Sequence, residues 1–303
     1  MSKLIWQNGV MKPYDEAQTH VMSHALHYGT GTFEGIRAYT LADGGVGVLC
    51  LKEHVKRMFD SATALAMKIP YSEQQVCDAI LQVIKANELG DCYIRPLAYY
   101  GRPTTSGVRI MPAADTPIDV IISCYAMGNY LPDEAIHVKI SDIVRLHPQS
   151  TNVGAKICGH YINSLQALMQ IRDTKYSEVV MLDYEGNVSE GSSDNIFMIK
   201  NQVVYTPMCG GILNGITRNV VMQLAVDLGH KVVETIIKPQ DLCAADEVFI
   251  TGTAVEVRGV ASVDDQDIGA GNEGPITQLI KNEYKKICAG QNPKYRHLLS
   301  LLA

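Results

Sequence analysis

Segments with strand character come in clusters along this chain, and this constrains its fold more than any other sequence feature. Residues 35–40 and 46–51 flank the turn-forming Ala42, Asp43, Gly44 and Gly45. Residues 93–100 and 118–125 read as buried strands, and 11–13 as a turn after an edge strand. Residues 195–199 and 203–206 flank Lys200, Asn201 and Gln202 as a further hairpin. A doubly wound sheet alternates each strand with a helix. Clustered strands joined by short turns predict an α+β fold instead. Helices fall between the clusters. Val55, Met58, Phe59, Ala62 and Leu65 give helical spacing over 53–67, and Val76, Ile80, Val83 and Ile84 over 72–86. Ser72 and Gln75 have capping-box spacing. Further on, 138–144, 178–183 and 246–251 read as strands, and 161–172, 216–228 and 276–288 as helices.

The length of 303 residues is two domains' worth at about 100–200 each. Gly128, Asn129, Pro132 and Asp133 mark a connection. The expected division is a small domain over 1–126, an interdomain loop over 127–137 and a large domain over 138–303. Usage of 47% hydrophobic and 19% charged residues excludes disordered and low-complexity classes. A net charge of −6, without a basic run, argues against nucleic acid and for a small-molecule partner. Eight cysteines scattered singly read as reduced, intracellular thiols. The longest charge-free apolar run, 120–131, is too short for a membrane span of about 20 residues. The expectation is a soluble, cytoplasmic protein without a membrane partner.

Single candidates are weak. His20, His24 and His27 share helical spacing, but no Glu or Cys completes a site and Gly29 breaks the helix, so no metal is expected. Gly29 and Gly31 lack the preceding strand of a dinucleotide fingerprint. Gly215 and Thr217 open a helix whose free N–H groups and dipole favour an anion. Thr251, Gly252, Thr253 and Ala254 form a second small-residue turn that can cradle one. Lys156 lies among small and apolar residues, where a lysine becomes a usable nucleophile. Glu190 is read as a turn residue between two strands. A lysine, an acid and two anion cradles, with no hydrolase set, match the needs of pyridoxal phosphate.

Taken in order, the motifs resemble the branched-chain amino-acid aminotransferases of the fold-type IV pyridoxal-phosphate class. They run His27 to Arg37 (HYGTGTFEGIR), Glu53 to Arg57 (EHVKR), Tyr93 to Pro96 (YIRP), Gly154 to Lys156 with Tyr161, Ser189 to Gly191 with Asn195, Gly215 to Arg218, and Thr251 to Ala254. The resemblance spans about residues 6–263. It implies a small α/β domain plus a larger, pyridoxal-phosphate-binding domain with a β-barrel-like core, as in D-amino-acid aminotransferase. It makes Lys156 the catalytic, Schiff-base lysine and pairs Glu190 with the pyridine nitrogen. Arg57 would hold the phosphate, with Leu213, Gly215, Ile216, Thr217 and Thr253 nearby, and Tyr161 the phenolic oxygen. Tyr93, Thr253 and Ala254 would bind the α-carboxylate and Arg95 a distal carboxylate. Tyr28, Phe33, Met127 and Tyr130 would line the side-chain pocket.

The implied reaction is ping-pong transfer of an amine from Leu, Ile or Val to 2-oxoglutarate, giving branched-chain 2-oxo acids and L-glutamate, in a homodimer or homohexamer. Met127, Asn214 and the 101–109 loop depart from the family pattern and bear on side-chain preference. The alternatives are a D-amino-acid or (R)-amine transaminase of the same fold, or a lyase such as aminodeoxychorismate lyase.

Overall fold

The computed structural model describes residues 3–104, 107–128, 130–131 and 133–302. Asn129 and Pro132 of the expected connection, and Thr105 and Ser106 of the 101–109 loop, lie outside the described residues. The chain packs as two compact units, one of residues 1–128, 155–159 and 288–303, the other of 129–154 and 160–287.

A single cut over 127–137 does not describe this packing. Residues 155–159, which carry Lys156, and 288–303 belong with the first unit. The cause is backbone pairing at long range. Leu299–Leu301 lies antiparallel to Val46–Leu49, and Ile157 bridges to Thr32. Neither pairing leaves a local pattern in the sequence, because a ladder partner is chosen by register and burial.

Among the described residues, the first unit has one antiparallel sheet. Its order is Leu299–Leu301, Val46–Leu49, Ile36–Thr40, Cys92–Tyr100, Ile118–Ala126, Leu4–Gln7 and Val10–Pro13, with Gly31–Phe33 also on Cys92–Tyr100. Residues 11–13 are thus strand and not turn. The turn is Asn8-Gly9, whose positive φ angles of 50° and 89° suit a tight hairpin. Helices Leu51–Thr63 and Glu73–Ala86 bury Val55, Met58, Ala62, Val76, Ile80 and Val83 in one cluster with Ile36, Ile94 and Ile122. Each of the valine, isoleucine and methionine side chains among them contributes about 1.5–3 kcal/mol. Both bonds of the Ser72–Gln75 capping box form, at 3.2 and 2.8 Å.

The second unit holds a mixed sheet. Among the described residues its order is Val188–Gly191, Glu178–Leu182, Ile136–Ile140, Glu256–Val263, Glu247–Gly252, Asn195–Lys200, Val203–Pro207 and Val232–Thr235. Its core gathers Val138, Val180, Ile196, Val248, Ile250 and Val260. Helices Tyr161–Met169 and Ile216–Asp227 belong to this unit. The strand expected over 138–144 ends at Ile140, because Ser141 Oγ accepts the Ile143 N–H and turns the chain. Among the described residues, no helix is long and apolar enough to cross a membrane.

Candidate active site

In the first unit the site is built on one stripe of the helix Leu51–Thr63. His54, Arg57 and Ser61 follow at i, i+3 and i+7 and so share a face. Arg57 donates side-on to Glu34, from Nε to Oε1 at 2.7 Å and from Nη2 to Oε2 at 2.8 Å. His54 Nδ1 lies 2.8 Å from Glu34 Oε2, and with the carboxylate ionised it is the donor. Glu34 is completely buried. Burial alone would push its carboxyl up, but the Arg57 charge and hydrogen bonds, helped by His54, hold it at about 2. Burial pushes His54 down despite the pull of Glu34. The imidazole is therefore held neutral.

Ser61 Oγ accepts the Lys156 backbone N–H at 2.9 Å, and the Lys156 carbonyl accepts the Phe33 N–H at 3.2 Å. The lysine is thus pinned by both its backbone N–H and its carbonyl. Its Nζ sits 5.1 Å from the Phe33 ring centroid. Arg95 stacks on the same ring at 4.6 Å and donates from Nη2 to the Tyr93 hydroxyl at 3.1 Å. Gly35 is required here, since a Cβ at that position would collide with Tyr93 Oη. The structure therefore brings Lys156, Phe33, Tyr93, Arg95 and Arg57 to the same small network of strands and one helix.

In the second unit, Glu190 is not a turn residue. It lies in the buried strand Val188–Gly191, just after a register shift between Val188 and Glu190. Such a bulge re-aims the side chain. Glu190 Oε1 accepts from Arg145 Nε at 2.7 Å. Its Oε2 accepts from the Leu213 N–H at 3.2 Å and Asn195 Nδ2 at 3.4 Å. Arg145 also reaches Asn163 and Ser164 on the helix that Tyr161 begins. Asn195 Nδ2 donates to the Leu213 carbonyl at 3.0 Å as well, and a Cβ on Gly215 would strike Asn195 Oδ1. Gly215 then caps the helix Ile216–Asp227 without a side-chain bond. The first N–H groups, Ile216 and Thr217 among them, remain as anion donors. Thr253 and Ala254 occupy the half-buried turn between Glu247–Gly252 and Glu256–Val263.

The remaining expected residues are placed differently. Tyr28 is exposed at the end of the short helix His24–Tyr28 and packs on His24, with ring centroids 4.9 Å apart. Tyr130 is exposed, and the Met127 carbonyl accepts from Arg37 Nη2 at 3.4 Å. Glu34, His54, Ser61 and Arg145 escape the sequence reading as site residues. Glu34 and His54 stand inside motifs that carry the resemblance, so position could have flagged them. Arg145 sits in no motif.

Taken unit by unit, the donor types suit parts of a cofactor with a phosphate and a basic ring nitrogen. An arginine and an uncapped helix start suit the former, and a carboxylate aimed by a bulge suits the latter. Residues 31–263 match the family described as amino-transferase class IV. A branched-chain-amino-acid aminotransferase of Pseudomonas aeruginosa is 39% identical, over 99% of this chain and 97% of its own length. The crystal structure of the T.th. branched-chain amino acid aminotransferase complexed with N-(5'-phosphopyridoxyl)-L-glutamate superposes with a TM-score of 0.95 at 38% identity, covering 100% of this chain and 99% of its own. The same enzyme with pyridoxamine 5'-phosphate gives 0.96 at 38% identity, with the same coverage.

Proposed function

Because the chain belongs to the class IV aminotransferases, and within them to the branched-chain-amino-acid aminotransferases of fold type IV, we propose that it transaminates L-leucine, L-isoleucine and L-valine with 2-oxoglutarate, using pyridoxal 5'-phosphate. One observation carries the substrate reading. The Lys156 amine and the Arg95 guanidinium lie over the same buried Phe33 ring, at 5.1 and 4.6 Å. An amine that must move a proton, an apolar wall and a carboxylate-binding fork meet at one ring. That is what a site alternating between an aliphatic side chain and the distal carboxylate of glutamate needs.

When bound, pyridoxal phosphate supplies the electron sink for the pair left at the substrate Cα. Lys156 Nζ would move the proton between the substrate Cα and the cofactor C4′, as a general base at the first atom and a general acid at the second. Glu190 holds the proton of the ring nitrogen in place. Arg57, the N–H groups of Ile216 and Thr217, and Thr253 hold the phosphate, with Leu213 and Gly215 shaping the helix start. Tyr161 binds the phenolic oxygen. Tyr93, Thr253 and Ala254 orient the α-carboxylate, and Arg95 takes the distal one. Tyr28, Phe33, Met127 and Tyr130 sort side chains. In this reading residues 1–126 form the small domain together with 155–159 and 288–303, 127–137 the connection, and the rest of 138–303 the cofactor-binding domain. The enzyme works in the cytoplasm on small amino and 2-oxo acids, as a homodimer or homohexamer, with neither membrane nor nucleic acid as partner.

The test is a half-reaction panel read from the cofactor absorbance. L-leucine and L-valine should convert the cofactor faster than D-alanine or (R)-1-phenylethylamine; the reverse order overturns the branched-chain assignment. Lys156→Ala should abolish turnover, and Arg95→Ala should slow 2-oxoglutarate more than branched-chain 2-oxo acids.

A further inference from the structure

Glu34 is an odd neighbour for an arginine that is to hold a phosphate. A carboxylate at the back of Arg57 cancels its charge and weakens its long-range pull on an anion. Burying that carboxylate completely is also costly unless something else is gained. What the arrangement supplies is direction. The side-on pairing, Nε to Oε1 at 2.7 Å and Nη2 to Oε2 at 2.8 Å, fixes the plane and the rotation of the guanidinium. A guanidinium engaged side-on turns its Nη1 end toward whatever else it binds. Glu34 is itself fixed from three sides. Its N–H donates to the Pro96 carbonyl at 3.0 Å, His54 Nδ1 lies 2.8 Å from its Oε2, and Phe33 before it is tied to the Lys156 carbonyl at 3.2 Å. The element that aims Arg57 is thus bonded, one residue away, to the segment that carries the lysine.

We infer that Glu34, seconded by His54, is a positioning residue that aims Arg57 at the cofactor phosphate, so that the phosphate is recognised by directed N–H groups more than by net charge. This rests on the proposed role of Arg57. It goes further by assigning its aim to two residues outside the cofactor-contacting set.

The experiment compares the Kd for pyridoxal phosphate with that for pyridoxal, which lacks the phosphate, on full-length apoenzyme. The ratio of the two reports the phosphate contribution alone. Arg57→Ala should shrink the ratio about a hundredfold; an unchanged ratio there overturns the phosphate role of Arg57 itself. Given that collapse, Glu34→Gln should shrink the ratio about tenfold, with the pyridoxal Kd unchanged, and should shift the phosphorus-31 resonance of the bound cofactor. A merely structural residue would weaken both ligands together. A wild-type ratio, or tighter pyridoxal phosphate binding as the cancelling charge goes, overturns the inference. Glu34→Asp keeps the charge but shortens the arm, and should restore less than half of the lost ratio; full restoration would make charge the cause. Should both Glu34 variants fail to fold, His54→Asn carries the test. It should shrink the ratio about threefold, and an unchanged ratio counts against the inference.

Discussion

Each of the two units holds an arginine paired with a buried glutamate. In the proposed reading, Arg57 of the first would face the chemistry with Glu34 behind it, and Glu190 of the second would face it with Arg145 behind it. Their hydrogen-bond shells differ accordingly. Glu34 is saturated by a two-point fork and a histidine, all within 2.8 Å. Glu190 Oε1 accepts from Arg145 at 2.7 Å, and Oε2 accepts from the neutral Leu213 N–H and Asn195 amide at 3.2 and 3.4 Å. Neutral donors at these distances hold an oxygen less tightly than charged ones do. The protonated nitrogen of a pyridine ring is a charged donor of the stronger kind. Exposure agrees for the first pair, in which the Arg57 side chain retains 15% while Glu34 has none.

The largest effect is expected at Glu190. Glu190→Gln keeps the shape but removes the charge that holds the ring proton. Turnover should fall about a hundred- to a thousandfold, far more than affinity for the cofactor. A loss confined to cofactor affinity would make Glu190 an anchor like Arg57, and the distinction would vanish. Next comes the support. Arg145→Met leaves Glu190 buried without its charged partner, so the apoenzyme should lose about 3 kcal/mol in denaturant unfolding. Cofactor should restore part of this, because the ring nitrogen supplies a replacement cation. Equal losses with and without cofactor would mean that Arg145 does not act through Glu190.

The smallest effect is in the first unit and is read from acid stability. The folded Glu34 carboxyl is depressed from 4.5 to about 2. Its contribution is therefore fully present above 4.5 and is lost as pH falls toward 2. Between neutral pH and pH 3 this leg is worth about 2 kcal/mol, and it should be missing in Glu34→Gln. His54 adds an earlier step. Burial depresses it below its ordinary 6.5, so the unfolded chain takes the proton first and stability begins to fall as pH drops through that value. His54→Asn should remove that step and leave the lower one. A single acid transition unchanged in both variants would refute the assignment of these groups.

Much of the fold is legible from local pattern. The helices of residues 51–63 and 73–86 follow from apolar spacing and the Ser72–Gln75 cap, whose reciprocal bonds both form. The residues expected at the site are legible only as motifs, each weak alone. Arg145 is not legible, because an arginine in an irregular segment has no periodicity to mark it as buried. Glu190 misleads for a related reason: Val188-Ser-Glu-Gly191 has turn composition, and only pairing with Glu178–Leu182 makes it a strand.

The sequence by itself determined the α+β class, the cores of the main helices and strands, and the residue types that serve a phosphorylated, amine-accepting cofactor. These depend on neighbours a few positions away, where spacing and capping act directly. Only the tertiary structure decided that the Lys156 segment and the last residues of the chain pack with the first unit, that Glu190 is buried on a bulged strand, and that Arg57 and Glu190 are each backed by an opposite charge. These depend on contacts between residues far apart in the chain, such as Glu34 with Arg57 and Arg145 with Glu190. Such contacts are set by which surfaces the fold brings together and buries, and no local rule encodes them.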